Sequence, residues 1–212
     1  MRRVLCFGDS NTWGYCPDSG ERFGFEERWP GVLQRHLGKQ FLILEEGLNG
    51  RTVDFDRPEP DRQGRNGKSY FLPCVESHDP LDWVILCLGT NDFRQSYHRS
   101  AEVVAKGMAD YFHIMNSDQL MNAPKEAKVL LMSPPKVLED QGPWAPAFKG
   151  ANQKIKRLSK LYQEMSEENG ALFLDLASFV DPSPIDGLHF SKSFHEKIGR
   201  KVADLLLENS SD

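Results

Sequence analysis

Short apolar runs recur along the chain, and each run is closed by glycine, proline or small polar residues. The runs do not alternate between apolar and polar positions, so each segment is apolar on both faces. This pattern is typical of strands in a parallel sheet that is covered on both sides. The predicted strands cover residues 4–7, 41–44, 83–88, 129–132 and 172–176.

Apolar residues at helical spacing fill the segments between these runs. Residues 100–115 place Val104, Met108 and Phe112 on one stripe, and Ser100 can cap the helix that this stripe predicts. The same spacing predicts helices over residues 28–37, 153–165 and 194–207. The alternation of strands and helices predicts an open α/β sheet of five parallel strands with right-handed crossovers.

Two long segments carry neither pattern. Residues 50–70 are crowded with Arg, Asp, Pro and Gly, and residues 134–150 contain several prolines together with Trp144 and Phe148. Loops of this length in a compact domain are usually functional or form oligomer contacts. The alternative for each is a solvated excursion on the surface.

Composition and charge limit the class of protein and its partners. The 212 residues predict a single domain spanning residues 1–212, with the hydrophobic content (39%) and charged content (27%) of an ordinary soluble protein. The net charge of -5 argues against nucleic acid or an anionic membrane as the main partner. No apolar stretch approaches the length of a membrane span, so we predict neither partner.

The four cysteines, at positions 6, 16, 74 and 87, form no motif. The apolar run after Met1 is too short for a signal peptide, so we expect a cytoplasmic protein with reduced thiols. Cys74 and His78 have a weak metal-like spacing, but the sequence offers no convincing second pair of ligands. We therefore predict no metal ion and no cofactor.

Small or polar residues follow every predicted strand. Ligands of open parallel sheets bind where the carboxyl ends of the strands meet, so these segments are expected to lie together. They supply a serine, exposed amides, an asparagine, an aspartate and a histidine, which are the groups that acyl transfer requires. The segments are GDSN (8–11), EEGLNGRT (45–52), LGTND (88–92), SPP (133–135) and DPSPIDGLHFS (181–191).

A serine nucleophile needs a base within hydrogen-bond reach and an acid that orients the base. Asp186 and His189 are three residues apart, and Gly187 permits a tight turn that would bring their side chains together. In that geometry Asp186 holds one ring nitrogen of His189 while the other faces Ser10. The alternative is that Asp186 only caps the last helix and that His189 lies on the surface.

An oxyanion hole needs donors aimed at the place where negative charge develops. The Ser10 amide is predicted where a strand passes into a helix start, where free N–H groups collect. Gly50 has no side chain to block its own amide, and Asn91 offers a side-chain NH₂ group. For Asn91 the alternative role is turn formation within GTND.

These residues fall in motifs that resemble the four blocks of the SGNH (GDSL-type) hydrolases. FGDSNTWG is similar to the nucleophile block, GLNGRT to the oxyanion-glycine block, LGTND to the asparagine block and DGLHFS to the acid–base block. The resemblance spans residues 7–191 and implies the SGNH fold, a flavodoxin-like three-layer sandwich with a five-stranded parallel sheet. It also implies Ser10, Asp186 and His189 as the catalytic residues, and Ser10, Gly50 and Asn91 as the oxyanion hole.

Further segments, including RWPGVL and KVLLMSPP, are similar to the bacterial arylesterase/acyltransferase subgroup of that family. This similarity implies hydrolysis of short-chain and aryl esters, acyl transfer to alcohols or peroxide, and a homo-oligomer acting on small-molecule esters. Carbohydrate deacetylase and thioesterase activities remain alternatives within the fold. Asn11 stands where the subgroup usually has Leu, and Asn49 stands where a smaller residue is common.

Four residues are predicted to contact substrate: Asn11, Trp13, Trp144 and Phe148. Asn11 would place a polar amide beside the acyl pocket, and the three aromatic residues would wall the pocket or its entrance. For these aromatic residues the alternative is packing or subunit contact.

Two other classes of function compete with a serine hydrolase. A degenerate ligand-binding module would need a phosphate cradle, and GDSNTWG fits neither the dinucleotide fingerprint nor the P-loop. A metal phosphoesterase would use Asp9, Asp92 and Asp186 as ligands and would lose activity to a chelator.

Overall fold

The computed structural model describes residues 1–116 and 127–210. In this part of the chain, five strands form one parallel sheet in the order β2-β1-β3-β4-β5. This is the flavodoxin-like order, so the prediction of a five-stranded parallel α/β sheet is confirmed. The strands are β1 (Arg2–Gly8), β2 (Phe41–Gly47), β3 (Trp83–Cys87), β4 (Lys128–Ser133) and β5 (Leu172–Asp175).

Helices cover both faces of the sheet, as the doubly apolar strands require. They are α1 (Ser10–Trp13), α2 (Trp29–Leu37), α3 (Gly67–His78), α4 (Ala101–Met115), α5 (Ala151–Glu168) and α6 (Lys192–Glu208). One core cluster joins the sheet to α3, α4 and α5, and a second joins it to α2 and α6. The predicted three-layer sandwich is therefore confirmed. No helix in the described ranges is long and apolar enough to cross a membrane.

Helix α3 was not predicted, because it begins inside the segment 50–70 that has no helical pattern. It also contains Pro73, which removes a backbone donor and usually ends a helix. Asn66 caps the helix by accepting a hydrogen bond from the Ser69 N–H at 3.4 Å. The buried side chains of Phe71 and Cys74 anchor it on the sheet, so tertiary packing overrides the weak local signal.

The segment before α3 is fixed to the core by buried polar groups. Asp92 accepts a hydrogen bond from the Val53 N–H at 2.9 Å, and the Tyr111 hydroxyl donates to the Val53 carbonyl at 2.6 Å. Arg99 pairs with both Asp92 and Asp54. These buried contacts anchor residues 53 and 54 to the core, whereas a solvated surface excursion would lack such contacts.

The second irregular segment, 134–150, is tied to the start of α5. The Asn152 side chain accepts from the Val137 N–H at 3.0 Å and donates to the Val137 carbonyl at 2.8 Å. Glu139 accepts from the N–H groups of Gly150 and Asn152 at 2.8 and 2.6 Å. Trp144 and its neighbours are therefore carried on an anchored loop.

A buried histidine should make stability depend on pH. His195 is fully buried in α6, and its Nδ1 accepts a hydrogen bond from the Trp29 N–H at 3.2 Å. Burial lowers the pKa of His195 to about 3, with smaller contributions from His189 and Arg28. Between about pH 6.5 and about pH 3 the unfolded chain binds a proton that the folded chain rejects, so acidification lowers the free energy of unfolding.

We expect the wild type to lose about 2 kcal/mol more stability than His195→Gln between about pH 6 and pH 4. Burial raises the pKa values of Asp9 and Asp92 to about 6 and about 7, so protonation of these two carboxyls stabilises the folded chain on acidification. The quantity to compare is therefore the difference in pH dependence between the wild type and His195→Gln. Urea unfolding at both pH values measures it. Equal pH dependence in the two proteins would show that His195 is not the group responsible.

Candidate active site

The end of β1 places a serine at the edge of the sheet. Gly8 allows the chain to turn closely there, since a Cβ atom would lie 2.1 Å from the Thr12 hydroxyl and 2.9 Å from the Cys87 carbonyl oxygen. Asp9 then caps the short helix α1 by accepting a hydrogen bond from the Asn11 N–H at 2.9 Å. Ser10 is consequently the first residue of the helix and lies at the carboxyl end of the strand.

The segment before α6 forms a compact turn that holds an aspartate and a histidine. Gly187 has a left-handed φ of 75°, and its N–H donates to the Ser183 carbonyl at 2.8 Å. Asp186 Oδ1 accepts hydrogen bonds from the N–H groups of Leu188 and His189 at 2.9 and 3.0 Å. Helix α6 begins after Ser191, which occupies the N-cap position, so the alternative in which Asp186 caps the last helix is wrong.

The structure brings Ser10, His189 and Asp186 into one hydrogen-bonded chain. His189 Nε2 lies 2.9 Å from the Ser10 Oγ, and His189 Nδ1 lies 2.6 Å from the Asp186 Oδ2. All three residues are buried, and the Tyr15 ring stacks on the imidazole with centroids 4.1 Å apart. Ser10 and His189, which are 179 positions apart in sequence, therefore meet at the edge of the sheet.

The Asp186 carboxylate is stabilised in its charged form. Burial by itself raises the pKa of Asp186, but the hydrogen bonds from His189 and Leu188 more than offset it, so the net shift is downward. A charged Asp186 fixes the proton of the imidazole on Nδ1 and leaves Nε2 as the acceptor for the Ser10 hydroxyl. This arrangement gives Ser10 a base within reach.

Donors for an oxyanion surround the same hydroxyl. Gly50 has φ of 77°, and in the described part of the chain its N–H and that of Ser10 have no hydrogen-bond partner. Asn91 Nδ2 donates to the Arg51 carbonyl at 3.1 Å and, more weakly, to Asp9 Oδ2 at 3.3 Å. Ser10, Gly50 and Asn91 all line one cavity, so the three predicted donors are brought together.

This cavity has a volume of about 360 Å³ and a charged wall that the sequence did not indicate. Most of that wall comes from the segment 50–70. The abundance of Arg and Asp in this segment was the only feature of the sequence that could have pointed to a charged cavity wall. The φ of 77° at Gly50 favours glycine there, and a Cβ atom would also displace Arg57 Nη1, which would lie 2.4 Å away. The lining residues that were not predicted include Tyr15, Arg57, Glu59, Asp61, Arg62 and Arg94.

Of the four predicted substrate contacts, only Trp144 lines the cavity. Asn11 is buried and its amide oxygen accepts a hydrogen bond from the Phe190 N–H at 3.2 Å, so it braces the His189 segment. Trp13 lies beneath the Arg22 guanidinium. Phe148 is buried. Asn11, Trp13 and Phe148 do not line this cavity, and their contact with substrate stays a prediction.

The three aspartates of the phosphoesterase alternative do not form a shared ligand set. Asp92 is paired with Arg99, and Asp186 is bonded to His189. Asp9 is committed to the Asn11 N–H and to Asn91. Burial raises the pKa of Asp9 to about 6, against the opposing effects of the Asn11 N–H, His189 and Arg51.

A different group of side chains could approach a metal ion. Glu46, Cys74 and His78 place their ligand atoms within 4.8 Å of one another, so the structure adds a carboxylate to the weak Cys74–His78 spacing. His78 Nε2 is already bonded to Glu46 Oε1 at 2.9 Å, and burial raises the pKa of the Cys74 thiol to about 12. A metal would have to break that bond and deprotonate the thiol. These residues do not line the cavity that contains Ser10.

Known structures share this fold over almost the whole chain. The M. smegmatis aryl esterase is 33% identical, with a TM-score of 0.87 over 98% of this chain and 99% of that protein. A carbohydrate acetylesterase from Sinorhizobium meliloti is 34% identical, with a TM-score of 0.90 over 98% and 99% of the two chains.

Sequence comparison agrees with these structural similarities. An acetylxylan esterase from Xylanibacter ruminicola is 24% identical over 96% of this chain, which spans 42% of the length of that relative. Residues 6–197 match the GDSL-like lipase/acylhydrolase family, a range that contains every motif of the SGNH resemblance. With that match and the shared fold, the chain belongs to the GDSL-like lipase/acylhydrolase family of SGNH hydrolases.

Proposed function

We propose that the protein is a serine esterase that hydrolyses short-chain and aryl carboxylic esters through an acyl-enzyme on Ser10. The observation that carries this proposal is the continuous hydrogen-bonded chain from Ser10 through His189 to Asp186 at the wall of a cavity. A ligand-binding module that performs no chemistry has no need of this arrangement. The family membership and the esterases among the similar structures support the same reaction.

The first half of the reaction forms the acyl-enzyme. As Ser10 Oγ bonds to the ester carbonyl carbon, His189 Nε2 takes the hydroxyl proton and the carbonyl electron pair moves to oxygen. Asp186, bonded to Nδ1, stabilises the imidazolium that results. The new oxyanion accepts hydrogen bonds from the oxyanion-hole donors. Asn91 Nδ2 exchanges its long 3.3 Å hydrogen bond to Asp9 for one to the oxyanion.

Collapse of this intermediate expels the alcohol, which takes the proton from His189 Nε2. A water molecule then enters, gives its proton to the same nitrogen and attacks the acyl carbon through its oxygen. The second tetrahedral intermediate releases the carboxylic acid, and the proton on Nε2 returns to Ser10 Oγ. His189 acts first as a base and then as an acid through the same nitrogen, Nε2. The imidazole does not have to move, because each proton donor or acceptor comes within hydrogen-bond distance of that nitrogen.

The cavity favours a small acyl group and a polar leaving group. Its volume of about 360 Å³ suits a short ester, and charged side chains make up much of its wall. These donors and acceptors match sugar hydroxyls, which favours a carbohydrate deacetylase as the second candidate. The similarity to a carbohydrate acetylesterase supports this candidate as well.

Acyl transfer to alcohols or peroxide is a finer proposal. The burial of Ser10 and His189 supports it, because restricted access of water favours another nucleophile that binds in the cavity. Measuring methyl acetate and acetate from p-nitrophenyl acetate in aqueous methanol tests it. Thioesterase activity, the homo-oligomer and the cytoplasmic location stay predictions.

Covalent labelling tests the proposed esterase directly. A fluorophosphonate is expected to modify one residue, and peptide mass spectrometry should place the adduct on Ser10. Turnover of p-nitrophenyl acetate should be lost in parallel with labelling and should be indifferent to EDTA. An adduct at a different residue, or loss of turnover on chelation, would contradict the serine mechanism.

A further inference from the structure

We propose that Arg94 is a specificity-determining residue that binds a carboxylate carried by the substrate, so that the preferred esters are anionic. This inference rests on the proposed esterase function and adds a substrate class to it. It comes from the charged wall of the cavity, where Arg94 differs from the other arginines in having no anionic partner.

Arg94 is held close to the reacting groups by the chain itself. It follows the 3-10 turn Asn91–Phe93, and its N–H donates to the Asn91 carbonyl at 3.4 Å. Its side chain lines the same cavity as Ser10, Asn91 and His189. A group bound by Arg94 is therefore part of a molecule that also reaches Ser10.

The guanidinium of Arg94 is positioned by aromatic rings and not by a carboxylate. Its central carbon lies 5.4 Å from the centroid of Trp144 and 5.3 Å from that of Phe148. In the residues that the structure describes, this guanidinium makes no hydrogen bond or ion pair, and its Nε is buried without a partner. Stacking of this kind fixes the plane of the guanidinium while leaving its N–H groups available.

The neighbouring arginines of the wall are already neutralised. Arg57 is paired with Glu59 at 3.0 Å, and Arg62 is paired with Asp61 at 3.2 Å. Burial lowers the pKa of Arg94, and the positive charge of Arg57 adds to this effect, yet an arginine remains protonated. The wall thus holds two ion pairs and one cation that makes no ion pair, although the Glu59 carboxylate partly offsets its charge from a distance.

A half-buried cation that makes no ion pair is costly, and a bound anion offsets that cost. A carboxylate suits the site best, because its two oxygens match the planar fork of a guanidinium whose orientation is fixed. The carboxylate could belong to the acyl half of the ester or to the alcohol half. Both sources present the same chemistry to Arg94, and substrates of the two kinds distinguish them.

The test compares two pairs of esters, each made of an anionic ester and the neutral compound in which its carboxylate is methylated. In the first pair, 4-acetoxybenzoate carries the carboxylate on the alcohol half, and its methyl ester is the neutral reference. In the second pair, p-nitrophenyl hydrogen succinate carries the carboxylate on the acyl half, and methyl p-nitrophenyl succinate is the reference. The measured quantity is the ratio of kcat/KM for the anionic ester to kcat/KM for its neutral partner.

We expect Arg94→Gln to lower this ratio by about 10- to 100-fold in one of the two pairs, the size of a lost hydrogen bond between charged groups. Arg94→Lys should restore part of the ratio, and added salt should reduce it in the wild type. Arg157→Gln is the control for net charge, because Arg157 pairs with Glu102 at the exposed surface and does not line the cavity, so the ratio should stay unchanged.

A ratio that is unchanged by Arg94→Gln in both pairs of esters would overturn the proposal. Arg94 would then be only a packing partner of Trp144 and Phe148. Failure of the wild type to hydrolyse any of the four esters would contradict the proposed function instead. In that case binding of 4-acetoxybenzoate to Ser10→Ala, measured by calorimetry, still tests Arg94. Equal affinity with and without the additional Arg94→Gln change would reject the carboxylate site.

Discussion

Ser10→Ala is expected to lower kcat for p-nitrophenyl acetate by about 10⁴-fold or more, and His189→Ala is expected to cost nearly as much. The reason is geometric: the Ser10 hydroxyl and His189 Nε2 are 2.9 Å apart and transfer a single proton between them. Removing either group ends the same step, so the double variant should be no slower than the slower single variant. Steady-state kinetics on the wild type and the three variants measure this.

Ser193→Ala and His113→Ala are suitable controls, because both residues are exposed and neither lines the cavity. They should retain wild-type rates. Substantial turnover in His189→Ala would refute the assignment of His189 as base.

Asn91→Ala is expected to lower kcat by about 10²- to 10³-fold, the usual effect of losing one oxyanion donor. The free energy of unfolding should fall by about 2 kcal/mol, since the change removes the two hydrogen bonds of Nδ2, to Arg51 and Asp9, at about 1 kcal/mol each. Kinetics with p-nitrophenyl acetate and thermal melting of the same samples separate the two effects.

Asn66→Ala provides the matched control for this variant. Asn66 caps α3 through the Ser69 N–H and does not line the cavity, so its loss should lower the melting temperature and leave kcat unchanged. The same outcome in Asn91→Ala, a wild-type rate with a lower melting temperature, would make Asn91 a turn residue.

In the proposed reaction, Ser10, His189 and Asp186 act on the ester group itself, so we expect discrimination among esters to come from the charged wall of the cavity. Arg57 and Glu59 neutralise each other, whereas Arg94 makes no ion pair in the described chain and its Nε has no hydrogen-bond partner. We therefore expect preference for a substrate to depend on residues of the 50–70 segment and on the turn after Asn91.

The sheet and most helices could be predicted because their signals are local. Five doubly apolar runs and the stripes of α2, α4, α5 and α6 appear directly in the sequence, and the order of elements restricts the topology. Helix α3 could not be predicted, since Pro73 opposes a helix locally and only burial of Phe71 against the sheet compensates. Its stability is a property of the packed core and not of the segment.

The site divides along the same line. Ser10, Gly50, Asn91, Asp186 and His189 were predictable because each lies in a short motif directly after a strand, where the fold gathers functional groups. The sequence also predicted that Asn11 and Phe148 contact the substrate, with packing as the alternative for Phe148. In the structure Asn11 bonds to the Phe190 N–H and Phe148 is buried. Side-chain direction depends on neighbours that are remote in sequence.

The sequence by itself determined the family, the layered α/β architecture and the residues that can perform acyl transfer, because motif, periodicity and element order are all written locally. Only the tertiary structure decided which side chains wall the cavity and which arginine there is left without a carboxylate. The two ion pairs of the wall join residues that are close in sequence, but whether a carboxylate lies within reach of Arg94 depends on distances across the folded chain.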